Sequence, residues 1–288
     1  MNAYVSAPQA GWSAKLELEF KYKNTRTVLA RNRHQGPLKV QRPFYPETLG
    51  QCHVYILHPP GGIVAGDSLN IHGHIWPEAH GLITTPSAGR VYRTNDQRLP
   101  QTQEVVLNVE EGGFCEWLPQ ENIVFDNAHA ISKTRVNVKP GARFIGWEIT
   151  CLGRPASKAE FLSGSLLQSF EISSDGSPML WERNRFIGGS DLLKAKWGLQ
   201  QASTVATLVC TVEDTDLLQQ LKTQCQEFQN QTNHPIMGIE ATQLPGLLVV
   251  RALASQAEPV KNAFIAIWKA LRMHLLKSEA KAPRIWYT

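Results

Sequence analysis

The chain has 288 residues, of which 42% are hydrophobic and 19% are charged, and its formal net charge is +4. A chain of this length buries roughly three-quarters of its unfolded surface, so it needs neither a disulfide nor a structural metal to fold. The small, unclustered positive charge excludes a dedicated nucleic-acid binder. No linker or low-complexity segment divides the chain, and we expect one compact domain over residues 1–288.

The composition also predicts a cytoplasmic location. Met1–Gly11 lacks the basic and apolar regions of a signal peptide, and no apolar run approaches the roughly 20 residues of a membrane helix. The odd cysteine count without a C-x-x-C pair is typical of reduced, buried thiols. The five cysteines are Cys52, Cys115, Cys151, Cys210 and Cys225.

The first part of the chain reads as strands. Strict alternation over Lys15–Tyr22 predicts a half-buried strand, and residues 25–30 form a hairpin with it. Residues 31–46 are polar and bounded by proline, which predicts a loop with short extended pieces. Cys52–Leu57 is a strongly apolar strand.

A proline- and glycine-rich loop follows at His58–Ser68. Gly61 and Gly66 have the spacing of the glycines in a phosphate-binding P-loop, but Asp67 stands where that motif requires lysine. The alternating run Leu69–Ile75 predicts a strand where a P-loop needs a helix. These two departures exclude nucleotide binding by this loop.

A weak internal repeat follows. Gly81, Gly112 and Gly141, separated by 31 and 29 residues, each follow turn residues and precede an apolar strand, a polar turn and a second strand. Chance spacing of turn glycines in a β protein is the equal alternative. If the repeat is real, the strands stack into supersecondary units. The polar turns at 87–93, 120–127 and 151–157 would then line up as a binding face.

The pattern changes near the C-terminus. The β-rich part extends over residues 15–212, and a strand–helix–strand–helix part occupies residues 202–278. Helices are predicted over 216–229, after a cap at Asp214 or Thr215, and over 258–276, where Pro259 lies in the first turn. The sequence therefore predicts a mainly β, solenoid-like fold of many short strands with about two α-helices near the C-terminus.

Two sets of side chains are candidates for chemistry. His72 and His74 share one face of a strand and form a metal site only if His58 or His80 joins them. The alternative is that they are solvated polar residues. Turn carboxylates offer an acid–base pair or transient cation ligands, although no nucleophile motif accompanies them and capping or pairing with arginines is the alternative. These carboxylates are Asp67, Glu116, Glu121 and Glu148.

Four stretches in order resemble the UreD (UreH) family of urease accessory proteins. They are YILHPPGG at 55–62 with Gly66-Asp67, TPSAGRVYR at 85–93, EWLPQE at 116–121 with Phe125, and CLGR at 151–154. The resemblance extends from about Lys15 through Arg185, and the C-terminal hundred residues match only in general shape.

The resemblance implies a non-enzymatic scaffold–chaperone. Proteins of this family join UreF and the GTPase UreG on apo-urease and promote insertion of nickel, for which UreD-like proteins are thought to offer an internal route. Their fold is a stack of β-sheets with few helices. No cofactor is expected to bind tightly, and nickel would be handled only transiently.

The resemblance also selects residues. Glu47, Asp67 and Glu148 match acidic positions that would line a metal path, whereas His72 and His74 lie outside the family's pattern. The candidate loop and interface residues are Gly61, Gly62, Gly66, Tyr92, Arg93, Trp117, Gln120, Glu121 and Arg154. A dedicated nickel carrier using His72 and His74, and a carboxylate-dependent hydrolase, remain the alternative functions.

Overall fold

The structure, a computed structural model, describes residues 11–231 and 236–287; of Met1–Gly11, where no signal peptide is predicted, residues 1–10 lie outside it. The strands within these residues are β1 Ser13–Lys23, β2 Arg26–Gln35, β3 Lys39–Val40, β4 Cys52–Leu57, β5 Ser68–Ile75, β6 His80–Thr84, β7 Gly89–Val91, β8 Gln101–Val109, β9 Phe114–Leu118, β10 Asn122–Val124, β11 His129–Val138, β12 Arg143–Leu152, β13 Ser165–Ser174, β14 Ser177–Ile187, β15 Thr204–Cys210, β16 Ile236–Leu244 and β17 Leu247–Ala254. The helices are α1 Asp191–Lys194, α2 Thr215–Gln229 and α3 Ala257–Leu276, with 3₁₀ turns at Pro155–Ser157 and Arg284–Tyr287.

Two sheets form the layers of the fold. The seven-stranded sheet has the order β14-β13-β11-β8-β5-β1-β2. The ten-stranded sheet has the order β16-β17-β15-β12-β9-β6-β4-β3, with β10 and β7 attached beside β12. From β4 to β13 the chain passes back and forth between the sheets, and successive strands in each sheet run parallel. This confirms the predicted mainly β fold of stacked sheets.

The strand register shows where the sequence repeat is correct and where it is wrong. Cys52, Gly81, Cys115 and Phe144 pair in succession, which gives offsets of 29, 34 and 29 residues. The turns three residues before Cys115 and Phe144 contain glycines with φ of +71° and +76°, but the corresponding turn before Gly81 contains a non-glycine residue. Gly81 lies inside β6, where a Cβ would come within 2.8 Å of the Phe20 ring.

The polar turns of successive units line up. In β7, β10 and the end of β12, Gly89 is in register with Asn122, and Asn122 with Thr150. The three stretches form a short parallel extension of the ten-stranded sheet along one side of the stack.

Two hydrophobic cores hold the layers together. One lies between the sheets, and the other lies between the ten-stranded sheet and the helices α2 and α3. The Asp214 side chain caps α2 by accepting a hydrogen bond from Leu217 N at 2.8 Å. The apolar stripe of α3, which includes Phe264 and Trp268, is fully buried. No described helix has both the length and the apolar character required to span a membrane.

One predicted boundary is wrong, and one strand is missing from the prediction. The predicted loop over 31–46 begins as strand, because β2 continues to Gln35, and β3 adds two further strand residues. The polar residues of this stretch predict a loop, but they belong to β2, an edge strand that is exposed to solvent. On this strand Arg31 pairs with Glu17 and Glu19 at 2.9 and 3.1 Å. The C-terminal part also contains the edge strand β16, whose alternation is broken by an irregularity between Ile236 and Gly238.

Candidate functional site

A cavity of about 280 Å³ lies between the two sheets. Its mouth is formed by the proline–glycine loop and by the row of aligned turns, and its inner end is lined by polar side chains. The mouth residues include His58, Pro59, Gly61, Gly62, Gly89, Arg90, Gln120 and Glu121, and the inner residues include Gln103, Ser132, Thr134, Glu148, Thr150 and Gln168.

The loop at the mouth is held by backbone contacts. Asp67 is buried, and its two carboxylate oxygens accept hydrogen bonds from Trp12 N at 2.7 Å and Val64 N at 2.9 Å. Gly62 packs so closely on Tyr92 that a Cβ would lie 2.3 Å from the ring. Asp67 and Gly66 therefore shape the loop without lining the cavity, and metal contact by Asp67 stays a prediction.

Aromatic contacts support the row of turns beside the mouth. The Tyr92 ring meets Phe125 edge-on at 5.0 Å, and the Arg154 guanidinium lies 4.9 Å from the Phe125 ring centre. Gln101 ties the same turn by donating to the Tyr92 carbonyl at 2.6 Å. Arg93 is exposed beside this cluster and does not line the cavity. These contacts give the candidate interface residues a rigid base.

Helix α3 also reaches the mouth. Lys261 Nζ donates to Gln120 Oε1 at 2.9 Å and lies 3.7 Å from Glu121 Oε2. Trp117 of β9 also lines the cavity. Trp117, Gln120 and Glu121 of the EWLPQE stretch are therefore brought together at the cavity, whereas Glu116 is not.

Glu148 is the acidic side chain at the inner end of the cavity. It is half-buried and accepts a hydrogen bond from Gln168 Nε2 at 2.8 Å. Burial raises the pKa of Glu148 to about 7, against the lowering effect of its hydrogen bonds with Thr134 and Gln168, and the Glu182 charge raises it further. This carboxyl group therefore changes protonation near neutral pH.

Polar residues around Glu148 form rows across both sheets. In the seven-stranded sheet the successive partners in register are Gln103, Ser132, Gln168 and Asn184. In the ten-stranded sheet Glu148 is in register with Thr207, and Thr207 with Arg251. The prediction from sequence missed these rows. Such rows can be recognised in a sequence by a polar residue at an inward-facing position where the neighbouring inward positions are apolar. Gln168 is an example, because the inward positions on either side of it are Leu166 and Phe170.

The other two predicted path residues do not lie in this cavity. Glu47 Oε1 hydrogen-bonds to His53 Nε2 at 2.8 Å. The second carboxylate oxygen of Glu47 pairs with Arg272 of α3. It therefore belongs to a buried ion cluster between the ten-stranded sheet and α3. Of Glu47, Asp67 and Glu148, the structure places only Glu148 in the cavity lining.

The same cluster contains Glu116. Arg272 Nη1 donates to Glu116 Oε1 at 2.5 Å, and His80 and Trp268 also contact this carboxylate. Burial alone would raise the pKa of Glu116, but Arg272, His80 and Trp268 outweigh it and lower the pKa to about 2. Burial also lowers the pKa of His80 despite its carboxylate partner. The permanently charged Glu116–Arg272 pair fastens α3 to the sheet.

The histidines considered for metal binding are dispersed. His72 and His74 lie on the outer face of the seven-stranded sheet, and His74 bonds Glu110 at 2.8 Å and stacks on Trp76 at 4.5 Å. His58 lies at the cavity mouth and His80 in the ion cluster. Across residues 11–231 and 236–287, no group of three or more His, Cys, Asp or Glu side chains is arranged to hold a metal ion.

The fold and the cavity together define a class of protein: two stacked, largely parallel β-sheets that enclose a polar cavity, with helices packed on one outer face. Within that class, the chain belongs to the UreD urease accessory protein family, because the model of that family matches residues 13–287.

Relatives across bacteria support the same assignment. A urease accessory protein UreD of Hahella chejuensis is 41% identical over 96% of this chain and 91% of its own length. The UreD of Aliivibrio fischeri is 40% identical over 99% of both chains, and that of Saccharophagus degradans is 40% identical over 98% of this chain and 95% of its own.

Proposed function

We propose that this protein acts in urease maturation as a cytoplasmic scaffold–chaperone without a reaction of its own. In this function it joins UreF, the GTPase UreG and apo-urease, and nickel ions pass through its inter-sheet cavity toward the urease active site. Membership of a urease accessory family supports the role in maturation.

The observation that carries the nickel route is Glu148 at the inner end of the cavity. A cavity of about 280 Å³ has ample room for a hydrated cation. Glu148, Thr150 and Gln168 offer carboxylate, hydroxyl and amide oxygens, which hard and borderline divalent cations accept. Because the pKa of Glu148 is about 7, an arriving cation displaces a proton and a returning proton releases the cation. Binding of this kind is transient.

The rigid mouth supports the scaffold role. Its loop is braced by Asp67, its turns by the Tyr92–Phe125 contact, and its rim by Lys261 of α3. Rigid, preorganised surfaces lose little entropy when a partner binds. We place partner contacts at Arg93 and Arg154, which are exposed beside the mouth.

The test separates binding from nickel transfer. Glu148→Ala is compared with Glu171→Ala, an exposed-face glutamate paired with Arg183 at 3.3 Å on the neighbouring strand. We measure co-purification with UreF and urease, and urease activation at limiting nickel in a reconstituted system. We expect both variants to bind as the parent does, and only Glu148→Ala to reduce activation, by at least fivefold.

Two results would contradict the proposal. Failure of the parent chain to bind either UreF or urease would overturn the scaffold role. Equal activation by Glu148→Ala and Glu171→Ala at limiting nickel would overturn the route through this cavity.

A further inference from the structure

We infer that the outer edge of β14 is a docking site for an extended, acidic segment of a partner protein, which joins the seven-stranded sheet as an additional strand. The inference goes beyond the proposed function, because it depends neither on the nickel route nor on the identity of the maturation partners.

β14 is the most regular edge strand in the part of the chain that the structure describes. Its pairing with β13 shifts only near its start, between Ile172 and Ser173, so residues 180–187 form an uninterrupted ladder. At the opposite edge, the pairing of β2 is interrupted between Glu19 and Phe20 of β1. The ladder of the edge strand β16 is also broken, and α2 packs against it, whereas β3 has only two residues. A long, regular edge presents a row of unpaired backbone donors and acceptors.

The hydrogen bond of Gly188 shows which backbone groups of this edge are open. Gly188 N donates to Gly164 O at 3.0 Å, in the same register as the β13–β14 ladder. Because bonded positions alternate in an antiparallel pair, Trp181, Arg183 and Arg185 direct their N–H and C=O groups away from the sheet. Among the described residues, no hydrogen bond outside the ladder involves the backbone of these three residues. They offer a pairing surface for about five residues of an added strand.

The side chains at the open positions form a preorganised surface. Trp181 is 59% exposed, and its Nε1 donates to Glu171 Oε1 at 3.0 Å. The Arg183 guanidinium lies 4.2 Å from the Trp181 ring centre and donates to the same carboxylate at 3.3 Å. Arg185 is exposed, and its side chain makes no ion pair or hydrogen bond with another described residue. Tryptophan and arginine are the side chains that most often dominate the binding energy of protein interfaces.

The charge of this edge selects an acidic partner. Arg183 and Arg185 both lie on the outer face, where the nearby Glu171 offsets only part of their charge. Carboxylates at alternate positions of an added strand would lie opposite the two arginines, and opposite charges stabilise such cross-strand pairs. Trp181 offers an apolar surface to a third side chain two positions further along. The recognised pattern is therefore two acidic residues and one aromatic or aliphatic residue at every second position.

The same arginines oppose a second copy of this chain at the edge. An antiparallel self-pairing that uses all three open residues places Arg183 opposite its own copy. A pairing centred one residue later places Arg183 opposite Arg185 in both directions. Because like charges directly opposite each other destabilise a strand pair, the occupant is a segment of a different protein.

The facing sheet provides a floor for the added strand. β14 ends the seven-stranded sheet, whereas the ten-stranded sheet continues past β15 to β17 and β16. Arg251 of β17 reaches Glu182 of β14 at 2.8 Å, so β17 lies just beyond the inner side of this edge. An added strand would cover Arg251, which is exposed, and Leu253, which is half-buried. Arg251 is already paired with Glu182 and lies beside Glu240, so neutral side chains at the intervening positions of the partner suit this floor.

Peptide binding to the full chain tests the charge of the site. The probe is a fluorescein-labelled peptide with the sequence Thr-Glu-Val-Glu-Val-Tyr-Thr, and the control peptide has lysine in place of both glutamates. Fluorescence anisotropy should show that the glutamate peptide binds the parent chain about tenfold more tightly, or better, than the lysine peptide. Arg185→Glu should reverse this preference. Arg33→Glu, the matched charge reversal of an exposed arginine on the opposite edge strand β2, should leave it unchanged.

A proline substitution separates strand addition from side-chain contact. Arg183→Pro removes an open N–H group without removing a hydrogen bond of the existing ladder, and it should abolish binding. Arg183→Ala removes the same charge but keeps the N–H group, so it should retain measurable binding. In the parent chain, the glutamate peptide should slow hydrogen exchange at the amides of Trp181, Arg183 and Arg185. If Arg183→Pro does not fold, Arg185→Pro tests the same edge.

Three results would overturn the inference. One is equal affinity for the two peptides, or no binding of the glutamate peptide at up to about 1 mM. Another is binding without slower exchange at the three amides, which would contradict strand addition. The third is self-association of the parent chain that Arg183→Pro abolishes, which would assign the edge to a second copy instead. Because these measurements use neither nickel nor a maturation partner, their failure is distinguishable from failure of the proposed function.

Discussion

Glu148 and Glu116 lie on opposite faces of the ten-stranded sheet, and their environments separate their pKa values. Glu148 has neutral hydrogen-bond partners, so burial dominates and raises its pKa to about 7. Glu116 contacts Arg272, His80 and Trp268, which together outweigh burial and lower its pKa to about 2. At neutral pH the first group exchanges protons, and the second is a fixed structural anion. The proposed cation route therefore uses Glu148 and not Glu116.

This difference predicts how Glu148→Gln changes stability with pH. The folded pKa of Glu148 lies above its ordinary value of 4.5, so its ionisation destabilises the fold progressively as pH rises from about 4.5 to about 7. Each unit of pKa difference corresponds to about 1.36 kcal/mol. Because Glu148 partly faces the cavity, we expect Glu148→Gln to gain about 1–3 kcal/mol at pH 8 relative to its effect at pH 5.

Urea unfolding of the parent and the variant at the two pH values checks this expectation. Glu171→Gln is the control, because its exposed pair with Arg183 is worth roughly 0–1 kcal/mol and should change little between pH 5 and 8. A stability difference for Glu148→Gln that is the same at both pH values would contradict the raised pKa.

The sequence identified Glu148 but not the residues around it, for a physical reason. Glu148 lies in a stretch with a recognisable local pattern. Arg251 comes near it through strand pairing within the same sheet, and Gln168 and Asn184 do so through packing of the facing sheet. Strand register depends on all the turns that precede it. The inward polar positions were visible in the alternation, but which of them meet was not.

At the scale of elements, the turns that begin equivalent strands carry unequal strain. Gly112 and Gly141 precede β9 and β12 with positive φ, and Glu78 occupies the corresponding position before β6 with a φ of 61°. The sequence pattern aligns the repeat on Gly81 because glycine marks turns, whereas the residue at the turn is Glu78. The period was therefore nearly correct while one of the three positions was wrong.

This equivalence predicts opposite effects for two exchanges. An L-residue in the left-handed region costs roughly 1–2 kcal/mol, so Gly141→Ala should destabilise by about that amount and Glu78→Gly should stabilise by up to about 1 kcal/mol. The nearest atom to a Cβ at Gly141 is 3.6 Å away, so crowding does not confound the comparison. Thermal unfolding of both variants measures these stability changes. Destabilisation by both exchanges would show that the two turns are not equivalent.

Helix α3 connects features that are far apart in sequence. Lys261 in its first half contacts the rim of the cavity, and Arg272 in its second half joins Glu47 and Glu116. The two helices were predicted from their apolar stripes, which report one buried face. The polar contacts of α3 were not predictable, because an arginine at a mostly apolar face has no sequence signal for its partners.

At the scale of the whole molecule, the solvent face of the seven-stranded sheet and the polar cavity between the sheets are separate surfaces that different substitutions can change. The outer face of the seven-stranded sheet and the cavity wall alternate along the same strands, so neighbouring residues belong to different surfaces. On β11, Ser132 faces the cavity and Lys133 faces solvent. This alternation makes it possible to change the passage without changing the scaffold.

Ser132→Leu should separate the two roles. A leucine at Ser132 places an apolar side chain in the middle of the polar row, where a cation would lose its hydration without gaining ligands. Because the cavity has room for the larger side chain, we expect stability to change by no more than about 1 kcal/mol.

Binding to UreF and urease should persist, while activation at limiting nickel falls at least fivefold. Lys133→Leu, which introduces the same leucine one residue along on the solvent face, should leave activation at the parent level. Loss of binding by Ser132→Leu, or equal activation by the two variants in the reconstituted assay, would contradict a passage through the interior.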